Sequence, residues 1–200
     1  MTDTYDEAFL FLHPEADPAV DRIAHEHTGA VTLFVWAPDA PAAARVAAEL
    51  ADQGVRLIEL YRGFDLRQAA LVVEAVGGRA PVGVAGYALG AARPGARGWA
   101  TIYTDDNAAP EGVHVVREHA DGSRTTVVGA PDATIPGVAA ALVRSGVEVV
   151  EVCGGTPLTT AARVAAAVGD AAAVGLVGWP FESIEGAAAF KAAYEAASRE

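Results

Sequence analysis

Short apolar runs along the chain are separated by stretches in which apolar residues recur every three or four positions, the pattern of buried parallel strands joined by crossover helices. In the first half the runs lie near 8–12, 31–36, 55–60 and 82–86. Between the first two, Asp17 precedes Pro18 as cap and first-turn residue, and Val20, Ile23, Ala24 and His27 share a face, which predicts a first helix. Asp39 stands before a second helix whose stripe is Ala43, Val46, Ala47 and Leu50, ending near Gly54. A third helix is predicted from about Leu66 to Val76, stopped by Gly77-Gly78. In the second half the strands fall near 99–103, 125–129, 147–152 and 174–178. Here the stretch from Val113 to Val128 carries Asp121-Gly122 between apolar runs, so it reads either as a helix and strand or as a hairpin. A last helix is predicted from Ser183 to Ser198, with Ile184, Ala187, Phe190 and Tyr194 on the side that packs against the sheet.

The two halves are copies. The segment from Gly54 to Tyr87 aligns without a gap on Gly146 to Trp179, at a constant offset of 92 and with about two positions in five identical. Upstream, Ala37-Pro38-Asp39-Ala40 matches Ala130-Pro131-Asp132-Ala133 after a one-residue shift, and Ala8 to Phe11 matches Ala100 to Tyr103 at 92 again. A fixed period of this size marks a duplicated supersecondary unit.

These segments resemble a known family. GVEVVEVCGG from Gly146, EAVGGRAPVGV from Glu74 and the opening FLHPEADPAVDR from Phe11 are similar to the corresponding stretches of DUF6506, whose single-copy members carry one such unit. The resemblance runs over nearly the whole chain, twice, and implies a fold but no activity. The copies differ where the resemblance is most specific: Glu151, Cys153, Gly154 and Gly155 follow the family pattern, whereas the first copy keeps Glu59 and has Tyr61-Arg62 where Cys153-Gly154 stand. That asymmetry implies a pseudo-dimer within one chain whose halves have specialised.

The expected fold class is therefore α/β, with two tandem βαβαβαβ repeats on parallel sheets: repeat 1 over 1–90, a Gly-, Ala- and Pro-rich linker over 91–98, and repeat 2 with its terminal helix over 99–200. Two Rossmann-like or flavodoxin-like units fit this pattern best; a (β/α)8-like barrel made from two halves is the alternative. The barrel has some support because GVRLIELYRG, from Gly54, resembles the second strand of aldolase barrels that cleave 2-keto-3-deoxy sugar acids. It lacks a lysine for a Schiff base, since Lys191 lies on the last helix.

Composition narrows the partners. A net charge of −12 opposes a nucleic-acid ligand, which needs clustered Lys and Arg. The longest apolar runs are broken well short of the roughly 20 residues that span a bilayer. One cysteine and a polar, acidic start point to the cytoplasm. No phosphate-cradling Gly motif is present, and the histidines His25, His27, His114 and His119 have no ligand spacing, so neither cofactor nor metal is expected. A small-molecule ligand is expected instead, and a homodimer is compatible with the pattern.

Ligands of parallel α/β sheets gather at the carboxyl ends of the strands. The candidates there are His13, Glu59, Tyr61 and Arg62 in the first copy and Tyr103, Glu151, Cys153, Gly154, Gly155 and Thr156 in the second. Glu59 and Glu151 occupy equivalent positions in strands otherwise built of Val, Leu and Ile. Burying a carboxylate is costly unless it is paired, so each reads either as a general acid/base or as a structural carboxylate bonded within the fold. Cys153 is a nucleophile or auxiliary donor in the functional reading and a small core residue in the other. Arg62, with Tyr61, and the Gly154, Gly155 and Thr156 amides would hold an anion; His13 and Tyr103 would shuttle protons or line the site. The expected function is a cofactor-independent isomerase, cyclase or lyase for a small anionic or carbonyl metabolite, and the alternative is a non-catalytic binding or scaffold protein.

Overall fold

The computed structural model describes residues 5–27, 30–86 and 93–197. The chain divides into two compact units, one of Met1–Val84 with Gly178–Glu200 and one of Ala85–Val177. Residues 91 and 92 of the expected linker, and 198–200 beyond the last helix, lie outside the described residues.

The first unit contains β1 (Glu7–Leu12), β2 (Arg22–His27), β3 (Ala30–Ala37), α1 (Ala40–Asp52), β4 (Leu57–Tyr61), α2 (Leu66–Val76) and β5 (Val82–Gly86). Its strands lie in the order β2-β3-β1-β4-β5. β1 is parallel to β3 and β4, and β4 to β5, but β2 is antiparallel to β3, with Arg22 opposite Val35 and His27 opposite Ala30. The second unit repeats this with β6 (Gly98–Thr104), β7 (Val113–Glu118), β8 (Arg124–Ala130), α3 (Ile135–Arg144), β9 (Val149–Val152), α4 (Leu158–Val168) and β10 (Ala173–Gly178), in the order β7-β8-β6-β9-β10. β7 is antiparallel to β8.

Each copy is thus βββαβαβ on a mixed sheet, which corrects the all-parallel βαβαβαβ expectation. The first predicted helix is the cause. Asp17-Pro18 does start a turn: Asp17 Oδ1 accepts the Ala19 N–H and the Asp21 N–H bonds Asp17 O. The turn stops there, because Asp21 Oδ2 bends back to accept the Asp17 N–H, and Arg22 onward finds its partners on β3 instead. Val20, placed on the buried face of the predicted helix, is 72% exposed. In the second copy the hairpin alternative holds: Asp121 Oδ1 accepts the Ser123 N–H, and Gly122 takes φ 75°. A barrel of eight parallel strands does not fit β2 and β7, which run against their neighbours.

Local chemistry fixes the other helices. Asp39 caps α1 through the Ala42 N–H, and the stripe Ala43, Val46, Ala47, Leu50 is buried. α2 has a reciprocal capping box between Asp65 and Gln68 and ends at Gly77 with φ 59°, a left-handed cap that only glycine takes without steric cost. Both crossovers, β3 to β4 and β4 to β5, step in one direction across the sheet, so α1 and α2 share a face and cover Leu10, Val35, Ile58, Leu60 and Val82. The same core is built under α3 and α4 by Ile102, Val128, Val150, Val152 and Val174. Among the described residues no helix is long and apolar enough to cross a membrane.

The final helix, α5 (Ile184–Ala197), belongs to the first unit although it follows β10. The buried Ser183 hydroxyl accepts the Val82 N–H at 2.9 Å, Gly186 lies against Pro81, and the Arg56 guanidinium sits 5.5 Å from the Phe190 ring. Ser183→Ala leaves that buried N–H unsatisfied and is expected to cost about 1–3 kcal/mol in a denaturant melt.

Two half-buried carboxylates of the second unit are held below their ordinary range. The Thr160 hydroxyl and then Arg163 hold Asp132 down against a small burial effect, and the N–H groups of Arg97 and Gly98 hold Glu148 down. A lowered folded-state value adds stability above the unfolded carboxylate range near pH 4, and that stability is lost as pH falls through the folded value. Urea midpoints are therefore expected to drop below about pH 4, less steeply in Asp132→Asn.

Candidate functional site

Residues alternate across a strand, so the positions between those under the helices form a second face. In the first unit that face carries Phe9 and Phe11 of β1, Phe34 and Trp36 of β3, and Glu59 and Tyr61 of β4, none with any exposed surface. The rings form one cluster: Phe11 stacks on Trp36 with centroids 5.0 Å apart, and Tyr61 lies 5.1 Å from Phe9 and 5.5 Å from Phe11. Glu59 stands in register with Phe9 on one side and Gly83 on the other. The Tyr61 hydroxyl donates a hydrogen bond to Glu59 Oε2. A phenol and a carboxylate are thereby joined in a setting with no solvent exposure, where such a bond is strengthened.

At the carboxyl end of the same face, His13 follows β1 and is 3% exposed. Its N–H bonds Ala37 O at 2.9 Å, and its Nδ1 accepts the Glu15 N–H over 3.4 Å. Arg62 follows β4 and has φ 62°, the one non-glycine residue with positive φ among the described residues. Left-handed backbone costs an ordinary side chain roughly 1–2 kcal/mol. The equivalent residue in the second copy is Gly154, and it does not adopt a positive φ.

The matching face of the second unit is built of smaller side chains: Thr101 and Tyr103 of β6, Thr125, Val127 and Gly129 of β8, Glu151 of β9, and Cys153 just beyond it. Glu151 has no exposed surface and is in register with Thr101 and Gly175. Cys153 is 8% exposed and continues the register beside Tyr103, its N–H bonded to Ile102 O. Tyr103 packs against Gly129, where a Cβ would stand 2.6 Å from the ring and hydroxyl. The expected anion loop is partly used by the fold. The Thr156 N–H bonds Cys153 O at 3.0 Å, and the Thr156 hydroxyl pairs with Thr104 at 3.1 Å.

The structure therefore brings Glu59 to Tyr61, sets Tyr103 beside Cys153, and leaves Thr156 engaged with Thr104. It also shows positions that sequence reasoning passed over. Between the copies, Phe9 becomes Thr101, Phe11 Tyr103, Phe34 Val127, Trp36 Gly129 and Tyr61 Cys153, yet both glutamates keep a glycine beside them in register, Gly83 and Gly175. That signal was present in the aligned fourth strands, VGVAG and VGLVG. Asp105, 6% exposed, stands where the first copy has His13. Among the described residues, no group of three or more His, Cys, Asp or Glu is arranged to hold a metal ion. Gly129→Ala is expected to displace the Tyr103 ring and lower stability by about 1–3 kcal/mol, read in a thermal melt and in tyrosine fluorescence.

Comparison with known proteins gives one result. The model of DUF6506, a family of unknown function, matches residues 5–99 and again residues 97–192. No curated protein and no solved structure matches the chain. Together the two matches take in nearly the whole length, so the chain belongs to the DUF6506 family and carries it as a tandem duplication.

Proposed function

We propose that the chain is a cofactor-independent enzyme performing acid/base chemistry on a small anionic or carbonyl-bearing metabolite, of the isomerase, cyclase or lyase type. The observation that carries this reading is the retention of a fully buried glutamate at one position of both copies while the large side chains around it changed. A carboxylate in an apolar strand is poor stabilising material, because well-packed apolar residues in its place are often as stable or more so. Its persistence in both copies, with a glycine in register each time, supports a proton-transfer role.

In this reading Glu59 and Glu151 exchange protons with the substrate, Tyr61 relays a proton to Glu59, and Cys153 with Tyr103 supplies the corresponding donors in the second unit. An anionic group of the substrate is held by Arg62 in the first unit and by the Gly154 and Gly155 amides in the second, and His13 shuttles protons at the strand ends of the first. The left-handed backbone of Arg62 supports its role, since glycine in that place would remove the conformational cost.

The test is hydrogen exchange from carbon, which needs no knowledge of the natural reaction. Purified protein is incubated in D2O with a panel of small 2-oxo and 3-oxo acids, and deuterium entry next to the carbonyl is followed by NMR. Wild type is expected to catalyse exchange with at least one member; Glu59→Gln and Glu151→Gln are each expected to slow it about 100-fold or more while melting within a few degrees of wild type. Full exchange in both variants removes the proposal.

A second reading has its own support, the Tyr61 hydroxyl committed to Glu59 inside the first unit. In it the glutamates are structural and the protein is a binding or scaffold module. It requires Glu59→Ala and Glu151→Ala to lower the melting temperature sharply, with no exchange by wild type on any of the panel.

A further inference from the structure

Among the described residues β7 is an edge strand: it pairs with β8 on one side and with no other strand. An uncovered edge is a row of free backbone donors and acceptors, and proteins ordinarily protect such an edge with charge, proline or a bulge. β7 has none of the usual devices at its centre. Val116 is 53% exposed and Val113 39%. β2, at the same place in the first copy, carries Arg22, Ala24 and Glu26 where β7 carries Val or His at two of the three aligned alternations. Beside β7 runs an open groove of about 740 Å³ between the strand and α3, lined by His114, Val116, Arg124, Val138, Leu142 and Ser145 among others.

We propose that β7 is the seat of a second copy of this chain, joined strand to strand across a twofold axis that passes through Val116, perpendicular to the sheet. Alternation puts His114, Val116 and Glu118 on the face of β7 that looks into the groove. Antiparallel self-pairing centred on Val116 then sets His114 of each copy opposite Glu118 of the other and the two Val116 side chains against each other. Charge complementarity and apolar contact coincide only in this register. Centring on Val115 opposes His114 to Val116 and leaves Glu118 without a basic partner. The pairing is isologous, so it closes at two copies, and it extends the floor of the groove while removing the exposed edge.

The experiment is the solution mass of the full chain by sedimentation over a concentration series, with three variants. Wild type is expected at twice the 20.4 kDa of one chain, and Val116→Lys at the monomer mass with unchanged circular dichroism and melting. His114→Glu sets like charges across the axis and is expected to dissociate the dimer at least tenfold more readily. Val116→Cys is expected to give a disulfide-linked dimer on mild oxidation, because residues facing themselves across an antiparallel pair lie within bridging distance. A wild-type monomer at every concentration overturns the proposal. So does a dimer indifferent to Val116→Lys and not crosslinked in Val116→Cys, which would use another face. Open-ended assemblies larger than a dimer also overturn it, since pairing of β7 with β2 of the next chain would give those.

Discussion

A glutamate without solvent, in the middle of a sheet, sets the terms for everything around it. Its carboxyl group needs a hydrogen-bond partner, and in the first unit it has one in the Tyr61 hydroxyl, with Gly83 in register on the neighbouring strand. The tyrosine in turn is held by Phe9 and Phe11, and Phe11 by Trp36, so the aromatic cluster fixes the position of one acidic group. The second unit treats the same group differently, with threonine, valine and glycine on the face and a thiol following the strand. The helix-covered face of the sheet is built much alike in the two copies, of valine, leucine, isoleucine and alanine. The change from large aromatic to small side chains falls on the opposite face, around the two glutamates.

Much of the fold was legible because it is specified locally. Asp39 before α1 and Gly77 after α2 each act over a few residues, and each does in the structure what its chemistry requires. The failure at Arg22–His27 is equally physical. Val20, Ile23, Ala24 and His27 satisfy a helical spacing, but Arg22–His27 can also run extended, and pairing antiparallel with β3 engages an edge that a helix would leave open. Short apolar segments carry both periods, and only a long-range partner decides between them. In the second copy Asp121-Gly122 supplied a local turn signal that raised the hairpin as an alternative without deciding it.

The candidate site divides along the same line. Glu59 and Glu151 were visible because an acid in an apolar run is anomalous in one dimension, and both are buried as that anomaly implied. Their neighbours were not visible, because register decides who stands beside whom. Gly83 and Gly175 acquire meaning only once β5 and β10 are known to pair with β4 and β9 at those residues. Arg62 stood out by type, but its left-handed backbone is a property of how β4 ends, which no residue pattern announces.

The first unit is discontinuous in sequence: it is built from two segments, and the whole of the second unit is encoded between them. On a ribosome the segment that completes it, from Gly178 on, emerges after all of the second unit, long after β1 to β5 have left the tunnel. The contiguous unit has all its strands available sooner and so is able to finish first, while the Val82 amide waits for Ser183 to emerge. Vectorial synthesis thus reverses the order in which the halves begin, and the half that starts first closes second.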